Sequence, residues 1–104
     1  MEYKVKTTKT FEKEIKRLGK HYASITDDYA QLLNDLYANP QLGTDLGGGL
    51  RKVRMRITSK GKGKSGSARV ITSEINLLYI YDKSERESIT HNEIDELLRK
   101  NGLK

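Results

Sequence analysis

Cysteine and tryptophan are absent from these 104 residues, proline and phenylalanine occur once each, and histidine occurs twice. Without cysteine there is no disulfide and no thiolate to act as nucleophile or ligand. Two histidines and no cysteine fall short of the Cys/His sets of a classical zinc site, so neither a metal nor a cofactor is expected. No run approaches the ~20 apolar residues of a membrane-spanning helix. The first ten residues alternate lysine with Tyr3, Val5 and Thr7 and contain no apolar h-region of a signal peptide. These absences predict a cytoplasmic protein with no membrane partner.

One further absence is local. Between Arg51 and Arg69 there is no acidic residue, while Arg51, Lys52, Arg54, Arg56, Lys60, Lys62, Lys64 and Arg69 are all basic. The whole chain carries +6, so the rest of it is slightly negative. The positive charge is therefore concentrated in one place, as in proteins that bind a polyphosphate. The plainer reading is a solvated basic hairpin. Only 35% of residues are hydrophobic and 33% are charged, which predicts one domain over residues 1–104 with a thin core.

Periodicity gives the order β-α-α-β-β-β-α and an α+β class. Tyr3, Val5 and Thr7 mark a short strand. Phe11, Ile15 and Leu18 recur at helical spacing, with Gly19 as the expected stop and Lys20–Tyr22 as a joint. A second helix starts at Ser24 or Thr26, carries Ile25, Tyr29, Leu32, Leu33 and Leu36 on one stripe, and stops at Asn39-Pro40. Residues 41–49 read as a loop, and residues 58–67 as a connection between strands. Strands follow at Leu50–Ile57, Ala68–Thr72 and Ile75–Asp82, with a tight turn at Ser73-Glu74, forming an antiparallel meander. The last helix opens with Thr90 and Glu93 in capping-box spacing, flanked by Ile89 and Ile94 at the staple positions. It buries Ile94, Leu97 and Leu98 and closes at Gly102.

The third of these segments bears most on function. Val53, Met55 and Ile57 alternate with Lys52, Arg54 and Arg56, and a strand sends successive side chains to opposite faces. One face is core; the other holds like charges in a row, which repel unless an external anion neutralises them. Arg69 can join that face from the next strand. Gly63-Lys64-Ser65 lacks the remainder of a P-loop, since Thr58 stands where its first glycine belongs.

The runs RKVRMRITSKGKGKSGSARVI and LLYIYDKSERESIT, with the helical hairpin, Pro40 and Gly43 before them, closely resemble the RelE/HigB branch of the RelE/ParE toxin superfamily. The resemblance covers nearly the whole chain. It implies the toxin half of a type II toxin–antitoxin pair, with a small, mostly antiparallel curved sheet packed against helices. It implies a ribosome-dependent, metal-independent endonuclease acting on messenger RNA, partnered by the ribosome, by mRNA and by a cognate antitoxin, of HigA type with a helix-turn-helix. Alternatives on the same fold are a ParE-like gyrase poison and a noncatalytic RNA-binding homologue.

Carried over residue by residue, the resemblance implies catalytic roles for Lys52, Arg54, Arg69 and Lys83 and a catalytic or phosphate-binding role for Arg86; the charge run and the strand pattern add Arg51, Arg56, Lys60, Lys62, Lys64 and Tyr81 as candidate RNA contacts. Nothing after Tyr81 is aromatic, so the C-terminal tyrosine of RelE has no counterpart.

From the residues themselves, the arginines suit phosphate clamping. A lysine among like charges is pushed toward use as a base, Lys52 before Lys83. Tyr79 and Tyr81, with Leu77, share one strand face and serve either as stacking platforms or as half-buried sheet tyrosines. Leu78 and Ile80 are expected to pack with Val53, Met55 and Ile57. Asp82 and Glu85 are expected to hold Lys83 or Arg86. His21 and His91 read as surface residues. Lys6, Lys9, Lys13, Lys16 and Lys20 read as an ordinary charged helix face, because Glu12 and Glu14 lie among them.

Overall fold

This computed structural model describes residues 5–60, 66–73, 76–86 and 88–102. Its elements are β1 (Lys6–Thr7), α1 (Lys9–His21), α2 (Ile25–Ala38), β2 (Thr44–Gly47), β3 (Leu50–Arg56), β4 (Ser67–Ser73), β5 (Asn76–Asp82) and α3 (His91–Lys100), with a 3-10 turn at Thr58–Lys60. The strands form one five-stranded sheet in the order β1-β5-β4-β3-β2. β1 runs parallel to β5 and the other pairs are antiparallel. The α+β class and the helical hairpin agree with the sequence reading.

The two largest differences from it are these. The expected loop at residues 41–49 contains β2, which pairs with the first residues of β3. Gly47, Gly48 and Gly49, all at positive φ, make the reversal between them. Helix α1 also runs through Gly19 to His21. The Tyr22 N–H donates to the Leu18 carbonyl, so the helix ends one turn beyond Leu18, and Gly19 lies inside where α1 approaches Ile25 of α2. The tight turn expected at Ser73-Glu74 falls partly outside the described residues.

Helix starts follow their caps. The Thr8 hydroxyl accepts from the Phe11 N–H (3.0 Å) and donates to the Leu78 carbonyl (2.7 Å), tying α1 to β5. Thr90 and Glu93 complete the capping box of α3. Ser24 is the N-cap residue of α2 without a side-chain cap bond. Its hydroxyl instead donates to Asp28 (2.7 Å) and accepts from the Ser59 N–H (2.8 Å). Asp28 in turn accepts from the Thr58 N–H and hydroxyl (3.0 and 2.6 Å), so α2 holds the 3-10 turn that follows β3.

The sheet separates two apolar clusters. Phe11, Leu18, Ile25, Leu32 and Leu36 of α1 and α2 pack on Val53, Met55, Val70, Leu77 and Ile80. On the other face, Ile71, Leu78 and Tyr81 pack under Ile89, Leu97 and Leu98 of the α3 region. A bulge explains why the clusters cut across the expected alternation. Ile71 pairs with Tyr79 but Thr72 pairs with Leu77, so Leu78 is an extra residue on β5. The bulge returns Leu77 to the α1/α2 side and puts Leu78 with Tyr81. This corrects the expectation that Leu77 joins Tyr79 and Tyr81 while Leu78 joins Val53.

Candidate functional site

Register brings the cations together. Arg54 on β3 pairs with Arg69 on β4, and Arg69 pairs with Tyr81 on β5. The Lys83 N–H donates to the Ser67 carbonyl (3.0 Å), which carries the pairing one residue past β5. Lys52, Arg54, Arg69 and Lys83 line one cleft of about 560 Å³, together with Gly43, Thr44 and Asp35. The four residues to which the sequence assigned catalysis thus come from three segments and meet at a single concavity.

Gly43 shapes the wall of this cleft. Its φ is +103°, and a Cβ there would stand 2.6 Å from the Lys52 carbonyl oxygen and 2.8 Å from Val53 Cγ2. Only glycine lets the chain pass this close to β3 at the point where Lys52 emerges.

Arg54 Nε donates to the Ser67 hydroxyl at 3.0 Å, and Arg69 makes a long contact to the Ala68 carbonyl at 3.4 Å. Among the described residues neither guanidinium has a carboxylate within ion-pair distance. Like charges directly opposite in a ladder repel, so this pair is an attractive seat for a bound anion. Arg54 also borders a second cleft of about 430 Å³, where Arg56 faces Asp27, Asp28, Gln31 and Asp35 of α2. The acidic edge of α2 therefore bounds the cationic cleft on one side.

The other sequence candidates are placed differently. Arg51 alternates onto the Val53 side of β3 and donates to the Gly43 carbonyl (3.3 Å). Lys62 and Lys64 lie outside the described residues. Arg86 is paired with Glu93, donates to the Ser88 carbonyl (3.1 Å), and stacks over the Tyr81 ring at 5.7 Å. Its bond to the Glu93 carboxylate raises its pKa. Tyr81 is only 2% exposed, so its ring offers no open stacking face. Burial pushes its hydroxyl pKa up against the opposing pull of Arg69 and Arg86. Tyr79 is half-buried beside it, with ring centres 6.1 Å apart.

Lys60 belongs to a separate network on the α1/α2 side. Asp82, fully buried, accepts from Lys60 Nζ (3.0 and 3.3 Å), the Tyr22 hydroxyl (2.6 Å), and the Ser84 N–H and hydroxyl (2.9 and 2.8 Å). Burial alone would raise the Asp82 pKa, but the bonds from Tyr22, Ser84 and Lys60 outweigh it and hold the carboxyl down at about 2. Burial likewise works against the Lys60 charge, and Asp82 overcomes it, leaving the ammonium pKa raised. Glu85 pairs with Arg17 (2.7 Å), which lowers its pKa. Asp82, Glu85 and Arg86 are ion-paired with Lys60, Arg17 and Glu93, where the sequence reading expected the two carboxylates to hold Lys83 or Arg86. Sequence reasoning missed this network because Tyr22 and Asp82 lie 60 residues apart and no local pattern links them.

Among the described residues no group of three or more His, Cys, Asp or Glu side chains is placed to hold a metal ion, and no helix is long and apolar enough to cross a membrane. The cleft offers guanidinium and ammonium groups, which clamp phosphate and stabilise charge developing on it. No solved structure matches the chain. A family model described as the RelE toxin of the RelE/RelB toxin–antitoxin system matches residues 3–102. The chain therefore belongs to the RelE toxin family, a family of toxins that are paired with an antitoxin.

Proposed function

We propose that this toxin is a ribosome-dependent messenger RNA endonuclease of the RelE/HigB kind, acting without a metal ion and stopping translation in the cytoplasm. The observation that carries the reading is the meeting of Lys52, Arg54, Arg69 and Lys83 around one cleft. Cleavage of RNA requires removal of the proton from a ribose 2′-hydroxyl, stabilisation of a pentavalent phosphorane, and a proton for the departing 5′-oxygen. Arg54 and Arg69, opposite each other, are suited to grip the two non-bridging oxygens of the scissile phosphate. Lys52 and Lys83, on the flanking segments, are the candidates for taking and returning the protons. Arg56, in the adjoining cleft that Arg54 also borders, is the candidate for the neighbouring phosphate. The antitoxin, of HigA type in this reading, relieves toxicity by occupying or occluding the cleft.

Primer extension on mRNA in a translating extract tests the proposal. Cuts at ribosome-occupied codons are expected with the wild-type chain and not with Arg69→Ala. Intact transcripts together with a DNA-damage response would overturn it in favour of gyrase poisoning.

A further inference from the structure

We propose that the outward face of α1 is a second RNA-binding surface, which takes the phosphate backbone of a duplex on the far side of the sheet from the cationic cleft. Lys9, Lys13, Lys16 and Lys20 are all exposed. At 3.6 residues per turn they fall within about 60° of arc, opposite Phe11 and Leu18, and span ~16 Å of helix. Among the described residues none of the four has a carboxylate partner within ion-pair distance.

Of the two acidic residues that suggested an ordinary mixed-charge face, one is engaged away from the stripe and the other lies at its edge. Glu14 is held by Arg17, which also binds Glu85 across to the segment after β5. Glu12 is exposed at the edge of the stripe, at i,i+3 and i,i+4 spacing from Lys9 and Lys16, and among the described residues it makes no ion pair with either. The stripe thus sets four exposed lysines against one carboxylate at its edge. At its Lys9 end it runs into a cleft of about 390 Å³ lined also by Lys6, Lys100, Asn76 and Asn101, so lysines from β1 and α3 continue the track.

The chemistry of the stripe selects its partner. Phe11 and Leu18 are 0% exposed in the core, so α1 has no apolar face to insert into a lipid surface. No aromatic or aliphatic side chain stands among the lysines to anchor a protein partner, whose binding energy concentrates in such residues. Evenly spaced ammonium groups in a straight row are sufficient for a phosphate backbone, where displaced counterions supply the affinity. The surface reads shape and charge, not sequence, as fits a structured RNA. This inference is independent of the cleavage reaction proposed for the cleft.

The test uses the full chain and a blunt RNA hairpin duplex, with binding followed by fluorescence anisotropy across a salt series. Three variants are compared with wild type: K13Q/K16Q/K20Q, K13R/K16R/K20R, and Arg54→Ala with Arg69→Ala. Glutamine and arginine keep the helix propensity of lysine, and unchanged circular dichroism checks the fold. The glutamine variant is expected to bind the duplex at least about tenfold more weakly at physiological salt and to lose ~2 from the slope of log K against log salt. The arginine variant is expected to bind like wild type, and the cleft variant to keep most duplex binding. Wild-type affinity and slope in the glutamine variant would overturn the proposal. So would loss confined to the cleft variant, or wild-type binding to anionic vesicles without binding to the duplex. Absent cleavage alongside the expected duplex result would count against the reaction in the cleft and leave this surface standing.

Discussion

Arg54 and Arg69 stand directly opposite each other across β3 and β4, and among the described residues neither is neutralised by a carboxylate. A cross-strand pair of like charges costs the fold a fraction of a kcal/mol, and the cost is recovered when an anion lies between them. Arg69→Ala should therefore separate function from stability. Cleavage is expected to fall by ~100-fold or more, while the free energy of unfolding stays level or rises by about 0.5 kcal/mol. Growth arrest by the variant at wild-type expression would remove Arg69 from the site.

Lys60 should behave in the opposite way. It sits in the cationic run but its ammonium is engaged by the buried Asp82. Removing one partner of a buried pair leaves an uncompensated charge. Lys60→Met is expected to destabilise the protein by about 2–4 kcal/mol, read as a lower denaturation midpoint in urea. If the variant unfolds at the wild-type midpoint and instead binds RNA more weakly, Lys60 belongs to the RNA track.

The same carboxyl sets an acid limit. Its pKa is about 2 in the folded protein against 3.8 for the ordinary group. A lowered folded-state value means that the stabilisation is fully present above pH ~4 and is lost as pH falls toward 2. The difference corresponds to about 2 kcal/mol. Unfolding free energies measured from pH 6 down to pH 2 should fall by that amount more in wild type than in Asp82→Asn. Parallel curves for the two proteins would show that Asp82 is not the group responsible.

Gly43 links backbone geometry to the cleft. An alanine at φ +103° would be strained and would press its Cβ onto the Lys52 carbonyl and Val53. Gly43→Ala is expected to lower stability by ~1–3 kcal/mol and to reduce cleavage at temperatures where the variant remains folded, because Lys52 leaves its place. Thermal melting with a matched cleavage assay checks both. Unaltered melting would mean that the chain relaxes away from β3 without cost.

The RelE resemblance and the basic row were legible in the chain because both are local. Alternation of Lys52, Arg54 and Arg56 with Val53, Met55 and Ile57 needs only the strand's two-residue period, and the Thr90–Glu93 box needs only four consecutive residues. Arg51 shows the limit of reading by charge alone: it belongs to the basic run, yet the same period sends it to the other side of the sheet. Tyr81 shows the limit of reading by residue type. Its ring is covered by the Arg86 guanidinium and the α3 region, contacts made by residues that sequence alone cannot position.

Residue pattern by itself determined the helices, most of the strands and which side of β3 carries charge, since these follow from periodicity and capping within a few residues. Tertiary structure decided which cations meet. The register of β3 on β4 set Arg54 against Arg69, the bulge at Leu78 reassigned the faces of β5, and long-range bonding drew Lys60 away to Asp82. Those outcomes depend on free energies of packing and desolvation between segments far apart in the chain, and no local pattern encodes them.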